Sequence, residues 1–256
     1  MIVSHEHRYV FIEVPHTGSV AISRELRENY GGEQILRKHA TYRDFLRQAT
    51  PAQREYFSFA AVRHPLDLTV SRYFRFKLKE RPAMGNPEWI AKHGSVAQKL
   101  DLRVAQWIVR NDASFEEFLL RWYRVPFDSW TSLDQARYSS VIRFETLADD
   151  FERTVREIGL QPVRPLPPAN ATPGRDRNWI AHYTPRARRR ATWVFGPYMQ
   201  QWGYDFPAEW GRVRVPAWSK VYFRLARAGR SVYWRFLRFR NPRRPGRLSE
   251  SPFTQR

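Results

Sequence analysis

Tyr9-Val10-Phe11-Ile12-Glu13-Val14-Pro15-His16-Thr17-Gly18-Ser19-Val20-Ala21-Ile22 is the stretch on which the reading of this chain turns. Its first half is a near-continuous run of strand formers, the pattern of a strand buried on both faces, as parallel strands flanked by helices are. Pro15 stops the strand, Gly18 permits an unusual backbone angle, Thr17 and Ser19 are capping residues, and Ile22, Leu26 and Tyr30 recur at helical spacing. The reading is strand, tight turn, helix. Backbone N–H groups at such a turn converge with the positive end of the helix dipole, so Pro15 to Val20 form a candidate site for phosphate or sulfate. Neither G-x-x-x-x-G-K-[ST] nor G-x-G-x-x-G occurs, which argues against ordinary nucleoside triphosphatases and dinucleotide enzymes.

The pattern repeats. Tyr56 to Val62 is an apolar strand candidate ending at Arg63-His64-Pro65, and Pro65 opens a helix whose inward stripe is Leu66, Val70, Tyr73, Phe74 and Leu78. Strands about 48 residues apart with helical segments between them argue for a parallel sheet with right-handed crossovers. Both turns then open onto one edge of the sheet, where ligands of such sheets bind. Arg63 offers a fork of donors to a phosphate, and Ser71, two turns into the following helix, adds a hydroxyl. Two anion sites a nucleotide apart suit a ligand with phosphate groups at both ends.

Elsewhere the sequence gives short helices around Arg43 to Gln48 and from Thr50-Pro51 to Arg54, and an irregular insertion from Arg81 to Ser95. Helices follow over 96–109 and 114–123, the second opened by a Ser114/Glu117 capping box. A short strand over 141–144 leads to a helix over 149–158 that ends at Gly159, then a Pro-rich connector over 162–173 and a helix over 185–201. The expected organisation is one domain over 1–210, a basic helical extension over 211–240 and a disordered tail over 241–256.

The 256 residues contain no cysteine, which excludes disulfides, thiolate metal sites and a cysteine nucleophile, and no metal-ligand cluster is read from the sequence. No apolar run reaches the 18 residues of a membrane span and the N-terminus does not read as a signal peptide, so the expected location is cytoplasmic. The net charge of +19 predicts attraction to polyanions. Arg212 to Arg247 holds 12 Lys plus Arg and no Asp or Glu, which leaves +7 for the rest. Within it, Trp218, Tyr222, Leu225, Val232, Tyr233 and Phe236 recur at helical spacing among arginines. This basic amphipathic helix makes 218–240 a candidate for peripheral contact with an anionic membrane surface.

Several segments together resemble the sulfotransferases, in particular the Golgi-type and bacterial enzymes that sulfate sugar hydroxyls. They are Val14-Pro15-His16-Thr17-Gly18-Ser19, Lys38-His39-Ala40-Thr41, Val62-Arg63-His64-Pro65 with Ser71-Arg72-Tyr73, Ile142-Arg143-Phe144-Glu145-Thr146-Leu147, His182-Tyr183-Thr184-Pro185 and Trp202-Gly203-Tyr204. The resemblance covers roughly residues 8 to 206. It implies a three-layer α/β fold with a central parallel sheet and a P-loop-like nucleotide-binding architecture, with 3′-phosphoadenosine 5′-phosphosulfate (PAPS) as sulfuryl donor, no metal, and a carbohydrate or glycoconjugate hydroxyl as acceptor.

On that resemblance, the first turn holds the 5′-phosphosulfate through the N–H groups of Thr17 to Val20 and the hydroxyls of Thr17 and Ser19. Arg63 and Ser71 hold the 3′-phosphate, and Arg175 or Arg177 closes over the nucleotide. His39 is the candidate base, its imidazole matched to neutral pH, with Glu13 and Glu145 as rival carboxylates. His16 stands where the resembling enzymes carry a lysine that contacts the bridging oxygen of the donor. A nucleotide-dependent kinase of related fold is disfavoured by the missing phosphate-loop lysine and the lack of an evident magnesium-binding Asp. A non-catalytic basic module for nucleic acid or membrane explains the tail but not the two anion sites, and nucleic acid is the disfavoured partner.

Overall fold

The structure is a computed structural model that describes residues 1–36, 38–78, 87–94, 96–127, 137–167 and 178–233. In chain order its elements are β1 (Ile2–Ser4), β2 (Tyr9–Ile12), α1 (Ser19–Asn29), β3 (Glu33–Gln34), α2 (Tyr42–Leu46), α3 (Pro51–Arg54), β4 (Phe57–Val62), α4 (Pro65–Lys77), α5 (Pro87–His93) and α6 (Val96–Arg110). There follow α7 (Phe115–Trp122), β5 (Ser140–Arg143), α8 (Leu147–Glu157), α9 (Pro185–Trp202) and α10 (Ala217–Val232), with short 3-10 turns at Phe144–Thr146, Trp179–His182 and Ala208–Trp210. The chain forms two compact units: Met1–Arg63, Asp128–Ala171 and Arg227–Arg256 make the first, His64–Phe127 and Thr172–Ala226 the second.

The first unit holds the sheet, in strand order β3-β1-β2-β4-β5. β2 pairs parallel with β4, placing Tyr9 opposite Phe57 and Ile12 opposite Ala60, and β4 pairs parallel with β5. The sheet is mixed rather than all parallel, because β1 runs antiparallel to β2 and β3 antiparallel to β1. Four residues separate β1 from β2, too few for a crossover, so the chain must return as a hairpin. Alternation along β2 sends Tyr9 and Phe11 to one core, where they meet Phe59, Ile142, Ile22 of α1 and Phe151 of α8. Val10 and Ile12 enter the other, against Ala60, Tyr42 and Phe45. β2 is therefore buried on both faces, as its composition requires.

Helix boundaries follow the capping chemistry. Thr41 with Asp44, Thr50 with Gln53 and Ser114 with Glu117 form reciprocal capping boxes that open α2, α3 and α7. In the second unit His64 opens α4. Its Nδ1 accepts from the Leu66 amide at 3.3 Å and its Nε2 donates to the Asp205 carbonyl at 3.1 Å, which makes it a structural cap. The stripe α4 buries is Leu66, Val70, Tyr73 and Phe76; the expected Phe74 and Leu78 are only half-buried. Where an irregular insertion was expected, 87–93 form α5, with Pro87 at its start, while 81–86 and 95 lie outside the described residues. The expected tail over 241–256 also lies outside them, as does 168–173 of the connector. Among the described residues no helix is long and apolar enough to cross a membrane.

Phe59 lies at the centre of the first unit, fully buried, with the rings of Tyr9 and Phe11 5.9 and 5.1 Å away. Phe59→Ala is expected to cost about 3–5 kcal/mol of stability. Urea unfolding followed by circular dichroism would measure it; a loss under 1 kcal/mol, about what a surface change costs, would contradict this core.

Candidate functional site

The turn after β2 is built by backbone geometry rather than by side-chain caps. His16 and Gly18 both have left-handed backbone angles, φ 66° and 79°. Gly18 is the N-cap of α1 and no side chain caps the helix, whereas Thr17 and Ser19 were the expected caps. The Thr17 hydroxyl instead turns back to donate to the Val14 carbonyl at 2.9 Å, fastening the turn to the end of its own strand. The amides of Ser19 and Val20 consequently meet no acceptor among the described residues. Free amides at the positive end of an 11-residue helix, with no acidic residue in its first turn, are disposed to receive an anion.

Two later segments hold the turn in place. A Cβ on Gly18 would come within 2.7 Å of a terminal methyl of Leu147, which would have to shift, while the φ of 79° is what makes the position one for glycine. Arg63, leaving the end of β4, is only 6% exposed; its Nη1 donates to the His16 carbonyl at 3.2 Å and its guanidinium lies 4.1 Å from the centre of the Phe144 ring. The two strand-end turns thus touch through Arg63, where the sequence reading set them a nucleotide apart. The physical reason is adjacency: β2 and β4 are hydrogen-bonded neighbours, and an arginine side chain spans the gap between their ends.

His39 comes to the same place from another direction. It sits in the loop between β3 and α2, with φ 61°, and its Nδ1 lies 2.8 Å from the backbone carbonyl of Glu13. A carbonyl oxygen only accepts, so Nδ1 carries the proton and the neutral ring keeps its lone pair on Nε2. Burial is the stronger influence on this ring and lowers its pKa below the ordinary value, although the bond to Glu13 pulls the other way. His39 is therefore held as a neutral acceptor at the end of the strand that leads into the turn.

Glu13 is not a rival base. Its carboxylate, 3% exposed, accepts from Ser23 of α1 at 2.9 Å and from Gln34 of β3 at 3.3 Å, and pairs with the Met1 amino group. Burial alone would raise its pKa; the hydrogen bond and charge of that amino group, with Ser23 and Gln34, outweigh burial and hold it below the ordinary value. It serves as an internal tie among β2, α1 and β3.

The first unit thus brings together Pro15 to Val20, Arg63 and His39. His16 is exposed and Glu145 is exposed on the 3-10 turn after β5. Ser71 is half-buried on α4 in the second unit, and Arg175 and Arg177 lie outside the described residues. Phe144 and Leu147 wall the turn, roles that their place in the Ile142-to-Leu147 segment does not announce. The signal for Leu147 was Gly18 itself, since a glycine at a helix start often marks a close neighbour. Comparison with family models, with curated proteins and with solved structures gives no match in any of the three.

Gly18→Ala combines a forced left-handed angle with the clash against Leu147 and is expected to cost about 1–3 kcal/mol; an unchanged melting temperature would contradict this geometry. Because the folded state favours ionised Glu13, its contribution is present in full above the ordinary value of 4.5 and is lost as pH falls through the lower folded value. Wild type is therefore expected to lose more stability than Glu13→Gln on acidification below pH 4.5, measured by unfolding at a series of pH values; parallel curves would remove the assignment.

Proposed function

We propose that this protein is a sulfotransferase that moves a sulfuryl group from PAPS to the hydroxyl of a carbohydrate or glycoconjugate. The observation that carries the reading is a neutral imidazole, with its lone pair on Nε2, anchored to the strand that leads into an uncapped helix start. An acceptor hydroxyl needs a base, and an anionic leaving group needs N–H donors; His39, bonded to the Glu13 carbonyl, and the amides of Ser19 and Val20 lie at the two ends of one short segment.

In the proposed reaction His39 Nε2 takes the proton of the acceptor hydroxyl as its oxygen forms a bond to sulfur. The bond from sulfur to the bridging phosphate oxygen breaks, and that oxygen keeps the electron pair as adenosine 3′,5′-bisphosphate leaves. The amides of Ser19 and Val20 face the charge that develops on the leaving phosphate. His16, standing where the resembling enzymes have lysine, offers an imidazole donor at the same turn. Arg63 acts on the donor through the turn, by holding the His16 carbonyl. Ser71, with Arg175 and Arg177, is assigned the rest of the nucleotide by the resemblance alone. The wider reading keeps the P-loop-like character of the turn and the basic amphipathic helix as parts of one nucleotide-dependent enzyme.

Thermal shift with adenosine 3′,5′-bisphosphate and adenosine 5′-phosphate tests the donor: the first is expected to stabilise strongly and the second little, and equal shifts or none would end the assignment. Radiolabelled sulfate transfer to a glycan panel tests the base. His39→Ala is expected to lower the rate about 10²–10⁴-fold, and an undiminished rate would reject it. Because the folded pKa of His39 is lowered, its base form persists below the ordinary value of 6.5, and the acid limb of the rate profile is expected below that pH.

A further inference from the structure

α10 has apolar residues on two sides. Towards the second unit, Phe223 is 5% exposed and the Ser219 hydroxyl donates to the Trp193 carbonyl of α9. Val215, just before the helix, packs so closely on Gly196 of α9 that a Cβ there would meet it at 2.6 Å. These contacts seat the helix. On another side Trp218 is 76% exposed and Leu225 69%, and Val221 and Tyr222 between them are exposed too. Their spacing of i, i+3, i+4 and i+7 puts the four on one stripe. Lys220 and Arg224 border it, and neither has an acidic partner among the described residues.

We propose that this stripe docks the protein on an anionic lipid bilayer, with Trp218, Val221, Tyr222 and Leu225 entering the headgroup layer and Lys220 and Arg224 meeting lipid phosphates and carboxylates. Charge complementarity selects this occupant. The run of 12 cations without an acid from Arg212 to Arg247 needs an extended anionic surface, and repels a second copy of itself. Nucleic acid would satisfy the charge but gives no return for exposing Leu225 and Val221, whereas a bilayer interface rewards apolar and aromatic side chains beside cations. Docking does not depend on the turn after β2 or on any reaction there.

Co-sedimentation of the full chain with vesicles tests this. Wild type is expected to sediment with phosphatidylcholine vesicles containing about 30% phosphatidylserine and to remain in solution with phosphatidylcholine alone, and salt of about 0.5 M weakens the binding. Trp218→Ser with Leu225→Ser is expected to reduce binding roughly tenfold or more at unchanged melting temperature, because both side chains are exposed. Lys220→Gln with Arg224→Gln is expected to reduce it by a similar factor. Failure of wild type to sediment with the anionic vesicles overturns the proposal. Binding that survives the serine pair also overturns it, leaving charge alone, as does equal binding of single-stranded RNA by wild type and serine pair without vesicle binding. A dimer in light scattering that the serine pair dissolves would make a second copy the occupant and overturn it as well.

Discussion

The parallel pairing of β2 with β4 is the constraint from which the rest of the first unit follows. Tyr9 to Ile12 carries apolar side chains in both directions, so the strand needs helices on both of its faces and a strand on each side. Parallel neighbours end on the same edge. Whatever leaves β2 and whatever leaves β4 must therefore emerge together, and Arg63 meets the turn after β2 for that reason. The meeting of basic, amide and imidazole groups at one place is a consequence of topology first and of residue choice second.

Electrostatics at this edge divides into two parts. Beneath the surface, Glu13 is ionised and saturated, tying three elements through its carboxylate. At the end of β2 the start of α1 has amides without an intrahelical acceptor, and the His39 ring carries its proton on the nitrogen bonded to the Glu13 carbonyl. A buried carboxylate with its demands met inside does not itself compete for the amides at the start of α1.

Much of this was legible in the residues. The runs starting at Tyr9, Tyr56 and Val141 announced their strands because buried parallel strands are apolar throughout, Ser114 with Glu117 announced its helix through a capping box, and Thr50-Pro51 announced another through a cap followed by a first-turn proline. β1 and β3 were not legible, since strands of three and two residues are too short to establish a period; β1 forms on the edge that β2 offers, and β3 on the edge of β1. Thr17 was misread as a cap because its hydroxyl has two acceptable partners, and only the turn decides for the Val14 carbonyl. For α10, sequence could not rank Phe223 against Trp218 and Leu225: all three are large and apolar, and which of them faces a neighbour is decided by where Ser219 and Val215 seat the helix.

The bond from His39 to Glu13 ends on a main-chain oxygen. The side chain at position 13 can therefore be exchanged without altering which ring nitrogen bears hydrogen, so the imidazole's orientation is insulated from point mutation there. Its vulnerability lies in strand register: carbonyls along a β-strand point alternately to opposite sides, and a slip of one residue would turn an amide hydrogen towards the ring in place of the oxygen. The histidine would then have to reverse its tautomer, exchanging a proton acceptor for a donor with no side chain changed. The ring's tautomer thus depends on the backbone at the end of the strand and not on the identity of the side chain at position 13.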